Sequence, residues 1–356
     1  MESELTARVA LFVLQVAVVL AAAKLAGEVA TRVGQPSVVG ELLAGVVIGP
    51  HALGAVPLPG LGPMFPSGSG PIPVSSELYA LSQLAALVLL FVAGLETDLR
   101  LFLRSLGPAA LVGLGGVVVP FVAGAGAAAL LGLAPRMTHP AALFLGAVLT
   151  ATSVGITARV LADLDAMNTP EAVTVLAAAV VDDVLAIMVL GLALGAAETG
   201  IVSPAAMAAH GAAAFTVWAV LTAAFVTGAR WLETVLHAFR APGARVALAL
   251  SLCLLAAFLA EAFGLAMIIG AYSAGLGLSA RPLGRRLQHE LEAVYHVLVP
   301  VFFVVVGMLV DVPTAFGALG VGLILTALAV VTKILGCGLP ALAVGYGLLG
   351  ASRIGV

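Results

Sequence analysis

The chain has 356 residues, of which 62% are hydrophobic and only 9% charged, with a mean hydropathy of +1.20. This composition excludes a soluble globular protein, and a net charge of -3 carries little information for a surface that mostly faces lipid. Apolar runs of about 17 to 25 residues fit helices crossing about 30 Å of hydrocarbon, and no alternating strand pattern suggests a barrel. The sequence predicts an all-α, polytopic membrane protein.

The first segment, "MESELTARVA", is acidic and lacks a basic n-region or a small-residue cleavage pattern, so no removable signal peptide is read there. Gly, Pro and charge clusters then divide the chain into eleven candidate spans. Their limits are Ala7–Ala30, Val38–Leu53, Leu78–Leu95, Leu106–Leu133, Pro140–Leu161, Pro170–Ala196, Ala205–Thr227, Val246–Glu261, Leu265–Ala280, Val294–Val310 and Ala315–Leu342. Within the first, Lys24 and Glu28 stand four apart and read as a local pair with snorkelling side chains. Between the second and third, Val56–Glu77 is rich in Pro, Gly and Ser and reads as an outer connection without a core of its own. Cys253 and Cys337 both lie in apolar runs, where a small buried hydrophobe is expected rather than a disulfide.

Charge sets the orientation. With the N-terminus outside, the inner loops and inner end carry Arg32, Arg100, Arg104, Arg159, Arg230, Arg240, Arg245, Arg281, Arg285, Arg286 and Arg353; the outer side carries only Arg8 and Arg136. This is the excess expected of cytoplasmic loops. Merging Val246–Ala280 into one span would move Arg281, Arg285, Arg286 and Arg353 to the wrong side.

No nucleotide loop, zinc spacing, nucleic-acid patch or nucleophile elbow is present in the sequence, so an enzymatic reading has no support and no cofactor or nucleic-acid partner is expected. The informative residues are ionisable groups at membrane depth, each costing about 2.5–3.5 kcal/mol at a helix centre. Glu96, Asp98, Asp163, Asp165, Glu261 and Asp311 lie at span ends, where an interfacial charge reaches water. Asp182 and Asp183 lie near the middle of "AAAVVDDVLAIMVL", and Lys333 lies inside "ALAVVTKILGCG"; Glu41 is a weaker fourth candidate, a turn from its span's start.

Neighbouring helical residues point about 100° apart, so the two aspartates cannot use one partner alike, nor both ionise in low dielectric without compensation. One acid paired with Lys333 and the other facing a water-filled cavity would hold either a proton or a small cation, which couples their movements. The alternative is an ion triad that only fixes helix packing. The preceding span, "AVLTATSVGITARVL", places Thr150, Thr152, Ser153 and Thr157 around Gly155. A locally unwound helix there offers oxygen ligands to a hard cation; ordinary small-residue packing is the other account.

The ordered motifs "GQPSVVGELLAGVVIGP", "LLFVAGLETDL", "TATSVGITARVL", "VVDDVLAI" and "FFVVVGMLVD", running from Gly34 to Asp311, resemble the cation:proton antiporter superfamily. The branch is that of NapA-type sodium/proton antiporters and Kef-type potassium transporters. The resemblance implies a homodimer with a dimerisation scaffold and a mobile core built as an inverted repeat of broken, crossing helices. In these terms residues 1–105 and 229–312 are scaffold, 106–197 the first core repeat, 198–228 a linker helix and 313–356 the start of the second repeat.

It further implies that Asp183 carries the ion or proton, that Asp182 is its partner acid, and that Lys333 pairs with Asp182 and is released on ion binding. Thr152 and Ser153 fall in the unwound segment, so Asp183, Asp182 and Thr152 would face the transported cation. The Asp-Asp pair with a lysine resembles the electrogenic subclass, in which two protons exchange for one sodium ion. Members with this pattern continue beyond the position of Val356 through a Pro-Arg-Gly-Glu segment to thirteen spans, so two further helices are expected of a complete member.

The expected function is exchange of sodium or lithium for protons across a bacterial inner membrane, with the lipid bilayer and small inorganic cations as partners. Kef-like potassium/proton exchange, and a non-transporting membrane sensor that keeps the fold, are the two alternatives.

Overall fold

The computed structural model describes residues 2–58, 62–66, 72–199 and 204–355. Helices dominate, and their ends follow local chemistry. α1 (Glu2–Arg32) and α2 (Ser37–Ile48) are joined by a turn through Gly34, whose φ of 77° suits a residue without Cβ. α3 (Ser76–Glu96) starts where the Ser75 hydroxyl accepts from the Leu78 N–H, and α4 (Leu99–Leu130) where the Asp98 carboxylate accepts from the Leu101 N–H at 2.9 Å.

Next come α5 (Pro140–Thr150), α6 (Val154–Asp163), α7 (Pro170–Thr199), α8 (Pro204–Ala238) and α9 (Ala244–Ala262). They are followed by α10 (Met267–Ser279), α11 (Pro282–Met308), α12 (Val312–Gly317), α13 (Leu319–Ala343) and α14 (Leu348–Gly355). Proline opens α5 and α11, where its missing N–H costs no intrahelical bond.

Among the described residues, nine segments are long and apolar enough to cross a membrane. Each expected span coincides with helical structure, and Val246–Ala280 divides into separate helices α9 and α10. Two differences are instructive. The last expected span is broken, because α12 ends at Gly317 and α13 begins afresh at Leu319. α14, absent from the expected spans, is too short for a periodic apolar signal and folds back on α13, with Gly355 against the backbone of Ile334.

Two groups of helices pack side by side. In one, α3 lies against α10 and α11, α2 against α1 and α11, and α9 against α10; in the other, α4 lies against α5, α7 and α13, with α14 touching α7 and α13. α6 reaches both groups through α2, α3 and α7, and α8 through α7, α9 and α10. The expected boundary at 105/106 lies within α4, and that at 228/229 lies within α8.

Close helix approach depends on glycine. At Gly94 and Gly275, an added Cβ would overlap the Tyr272 and Phe91 carbonyl oxygens, so α3 and α10 touch through bare backbone.

The connection after α2 has no core of its own but docks on that of the helices. Phe65 is 3% exposed and Val74 5%, and both join a cluster with Val19, Leu78 and Val304. Gln15 donates from Nε2 to the Met64 carbonyl at 2.8 Å, and strands β1 (Pro57–Leu58) and β2 (Gly62–Pro63) pair antiparallel. Two apolar side chains bury enough surface to seat a Pro- and Gly-rich segment against α1, α3 and α11. In α1, Glu28 pairs with Arg32 at 2.9 Å rather than with Lys24. An acid four residues before a base is the favourable order, and this pair also sits at the helix end.

Candidate functional site

α7 is seated at its start. The Thr169 hydroxyl accepts from the Ala172 N–H, and Tyr346, after α13, bonds through its hydroxyl to the Thr174 hydroxyl at 2.5 Å and donates to the Pro170 carbonyl at 3.3 Å. Arg353 of α14 lies 3.8 Å from Glu171. From this anchored end the helix runs inward to Asp182 and Asp183.

Asp182 is 4% exposed, and its Oδ1 lies 3.4 Å from Lys333 Nζ. Its Oδ2 and the Oδ2 of Asp183 are both buried without a hydrogen-bond partner among the described residues. Asp183 is less enclosed than its neighbour and has no ion pair in the described set. The two acids therefore differ as the 100° helical step requires: one meets an ammonium, the other does not. Buried carboxylate oxygens without donors are costly unless a proton or a cation satisfies them.

Lys333 reaches Asp182 because α4 lets α13 come close. At Gly115 an added Cβ would overlap the Gly336 carbonyl oxygen, and at Gly116 it would lie 2.7 Å from Cys337 Sγ and 3.7 Å from Lys333 Nζ. On another face of α4, a Cβ at Gly113 would meet the Ala178 carbonyl of α7 at 3.0 Å. The "GLGG" run thus places α7 and α13 on one thin helix, with the lysine passing over it.

The oxygen-rich span is broken as its composition suggested. α5 stops at Thr150, residues 151–153 are extended, and α6 restarts at Val154 with the Ser153 hydroxyl accepting from the Ile156 N–H. The Thr150 hydroxyl donates to the Ala147 carbonyl, and that of Thr152 to the Thr150 carbonyl at 3.3 Å. Thr152 is also within reach of the Asp182 carboxylate. The structure brings Asp182, Lys333 and Thr152 together, puts Asp183 next in sequence on α7, and uses Ser153 as the cap of α6.

A second buried charge cluster was not legible as such. Arg159, counted above among loop arginines, lies inside α6 with its side chain 6% exposed, 3.0 Å from Asp163 Oδ1 and 3.6 Å from Glu41 Oε1 on α2. It donates to the Ser37 hydroxyl at 3.0 Å, that hydroxyl donates to Asp163 Oδ2, and the guanidinium lies 5.4 Å from the Tyr295 ring centre. Asp163 is therefore not simply an interfacial charge in water. The sequence signal was the four-residue spacing of Arg159 and Asp163, hidden by counting basic residues toward loops. Glu96, another expected interfacial acid, accepts from Gln288 Nε2 at 3.0 Å beside a polar cavity of about 670 Å³ that also touches Asp98, Asp165 and Arg285.

Paired helix groups, a broken helix and a buried Asp-Asp-Lys cluster define a polytopic membrane transporter of the ion-exchanging kind. The profile of the family described as sodium/hydrogen exchanger, transmembrane, matches residues 16–355, and the chain belongs to that family. It is 36% identical over 352 residues to the probable Na(+)/H(+) antiporter GerT of Bacillus cereus, covering 97% of this chain and 86% of that protein. It is 35% identical to the Na(+)/H(+)-K(+) antiporter GerN of Bacillus cereus, covering 97% and 83%, and 31% identical to the high-affinity Na(+)/H(+) antiporter NhaS3 of Synechocystis, covering 96% and 77%. The fold resembles the sodium proton antiporter MjNhaP1 from Methanocaldococcus jannaschii with a TM-score of 0.66 at 15% identity, covering 99% of this chain and 81% of that one.

Proposed function

We propose that the protein exchanges sodium ions for protons across a membrane by alternating access, with Asp183 as the group that binds proton and cation in turn. The observation that carries this reading is the buried Asp182–Asp183 pair, in which each acid keeps an unpartnered oxygen and only Asp182 is matched by Lys333. A cation entering beside Asp183 takes oxygen ligands from that carboxylate, from Asp182 and from Thr152; protons take its place when it leaves. The names of GerT and NhaS3 support sodium as the cargo.

Two protons for one sodium ion moves one net charge per cycle, worth about 2.3 kcal/mol per 100 mV, so the exchange is electrogenic in this reading. Lys333 holds Asp182 while the site lacks a cation and lets go when one arrives. The helices around α4, α5, α7 and α13 form the moving core; those around α2, α3, α10 and α11 form the scaffold, through which two copies dimerise. The N-terminus lies outside and the arginine-rich loops face the cytoplasm of a bacterial inner membrane. Potassium is the second cargo to consider, because the name of GerN includes it.

Purified protein in vesicles with an internal pH dye tests the reading. Sodium and lithium are expected to drive proton movement, with a rate that changes when the membrane potential is clamped. Proton movement with potassium alone would reassign the cargo; none with any of the three cations would leave a non-transporting sensor as the reading.

A further inference from the structure

The cluster around Arg159 has no part in the exchange chemistry above, yet it lies where α6 meets α2. Glu41 is 2% exposed and Arg159 5% exposed, and burial of a carboxylate and a guanidinium demands a reason. They meet as an ion pair at 3.6 Å, and Glu41 Oε2 and Arg159 Nε and Nη1 lack hydrogen-bond partners among the described residues. The groups facing them are Ser37 on α2, Asp163 on α6, Tyr295 on α11 and, at longer range, Lys24 on α1.

Position gives the cluster its meaning. α6 is capped by Ser153, and Arg159 follows six residues later, about 9 Å along the helix at 1.5 Å per residue. Ser153 and Arg159 thus mark two sites on one short rigid rod, one at the ion site and the other buried against α2 and α11. An arginine suits this place, since its fork can hold Glu41, Asp163 and Ser37 together, whereas a lysine offers a point charge.

We propose that Arg159 and Glu41 form a latch between α6 and α2 that must part during each transport stroke, making both positioning residues for the exchange. The inference rests on the alternating-access reading given above. Movement of the core past the scaffold carries α6 along α2, and a buried ion pair across that seam holds one end state until ion binding supplies the differential free energy to open it. The latch acts on the rate of the stroke, not on the ligands of the cation.

The Ser37 Oγ and Asp163 Oδ2 atoms are 3.0 Å apart, so the double variant Ser37→Cys, Asp163→Cys places two thiols across the same seam while leaving Glu41 and Arg159 in place. In vesicles, joining them with a short thiol-specific cross-linker is expected to cut sodium-driven proton movement at least tenfold and a reductant to restore it, with sodium binding retained; the wild type, carrying only Cys253 and Cys337, is treated in parallel. Undiminished exchange by the cross-linked protein overturns the latch. If the untreated wild type shows no exchange, the activity reading fails instead, and the latch is judged by labelling: Ser37→Cys should react several-fold faster with a water-soluble thiol reagent when Glu41→Gln is added. An unchanged labelling rate overturns it.

Discussion

The two buried charge clusters share an inventory of carboxylates and one cation, but they are built differently. Arg159 is gripped by Glu41, Asp163, Ser37 and the Tyr295 ring, four partners from three helices. Lys333 meets one carboxylate oxygen at 3.4 Å and keeps 22% of its side chain exposed. A many-handed arginine suits a joint that is either made or broken, and a single-contact lysine suits a site where a small cation competes for the same carboxylate. Held together, they teach that neither burial of charge nor an unpartnered acid oxygen alone locates an ion pathway, since Glu41 shares both; what sets the aspartates apart is two adjacent acids with a single lysine between them.

The largest test of that contrast is Asp183→Asn. Sodium-driven proton movement in vesicles is expected to vanish while the protein still elutes as a folded species; full retention of exchange would remove Asp183 from the site. Lys333→Ala comes next. It leaves Asp182 buried without its counter-charge, a loss of about 3 kcal/mol or less given the lysine's partial exposure, read as a lower melting temperature and a weaker dependence of exchange on membrane potential.

Gly115→Ala sharpens the comparison without touching a charge. Its Cβ would overlap the Gly336 carbonyl oxygen, and forcing α13 off α4 should cost about 1–3 kcal/mol and shift Lys333 from Asp182, while cross-linking at Ser37 and Asp163 stays unchanged. An unaltered melting temperature and potential dependence would mean that the close approach is dispensable.

The smallest effect belongs to Asp311, an exposed acid that caps α12 by accepting from the Thr314 hydroxyl at 2.6 Å and from its N–H. These bonds hold its carboxyl below the usual range, with His51 adding slightly. A folded-state value below the unfolded one means the cap's contribution is fully present above about pH 4, and is lost as the pH falls through the folded value. Protection of the α12 amides, taken after correction for the intrinsic pH dependence of exchange, should therefore fall on acidification in the wild type, and depend less on pH in Asp311→Asn.

Much of the fold was legible because span length and the arginine excess are properties of residues taken one by one. Asp182, Asp183 and Lys333 stood out because nothing near them in sequence accounted for a charge. The break at residues 151–153 was legible from Thr and Ser around Gly155, which favour capping over continuous helix. What was hidden depended on neighbours distant in sequence. Arg159 resembled a loop arginine until α2 supplied Glu41 and Ser37, Phe65 resembled loop filler until α1 and α11 supplied a pocket, and Tyr346 gave no sign of reaching Thr174.

The gap between α5 and α6 has an electrical consequence of its own. Aligned peptide dipoles leave roughly half a negative charge at the carbonyl end of α5 and roughly half a positive charge at the amide end of α6, facing each other across residues 151–153. The carbonyl lip favours positive charge and the amide lip negative charge, so the gap is polar at both ends without carrying a formal charge. Unlike Asp182 and Asp183, this field does not titrate. It is the same whatever the protonation state of the two acids.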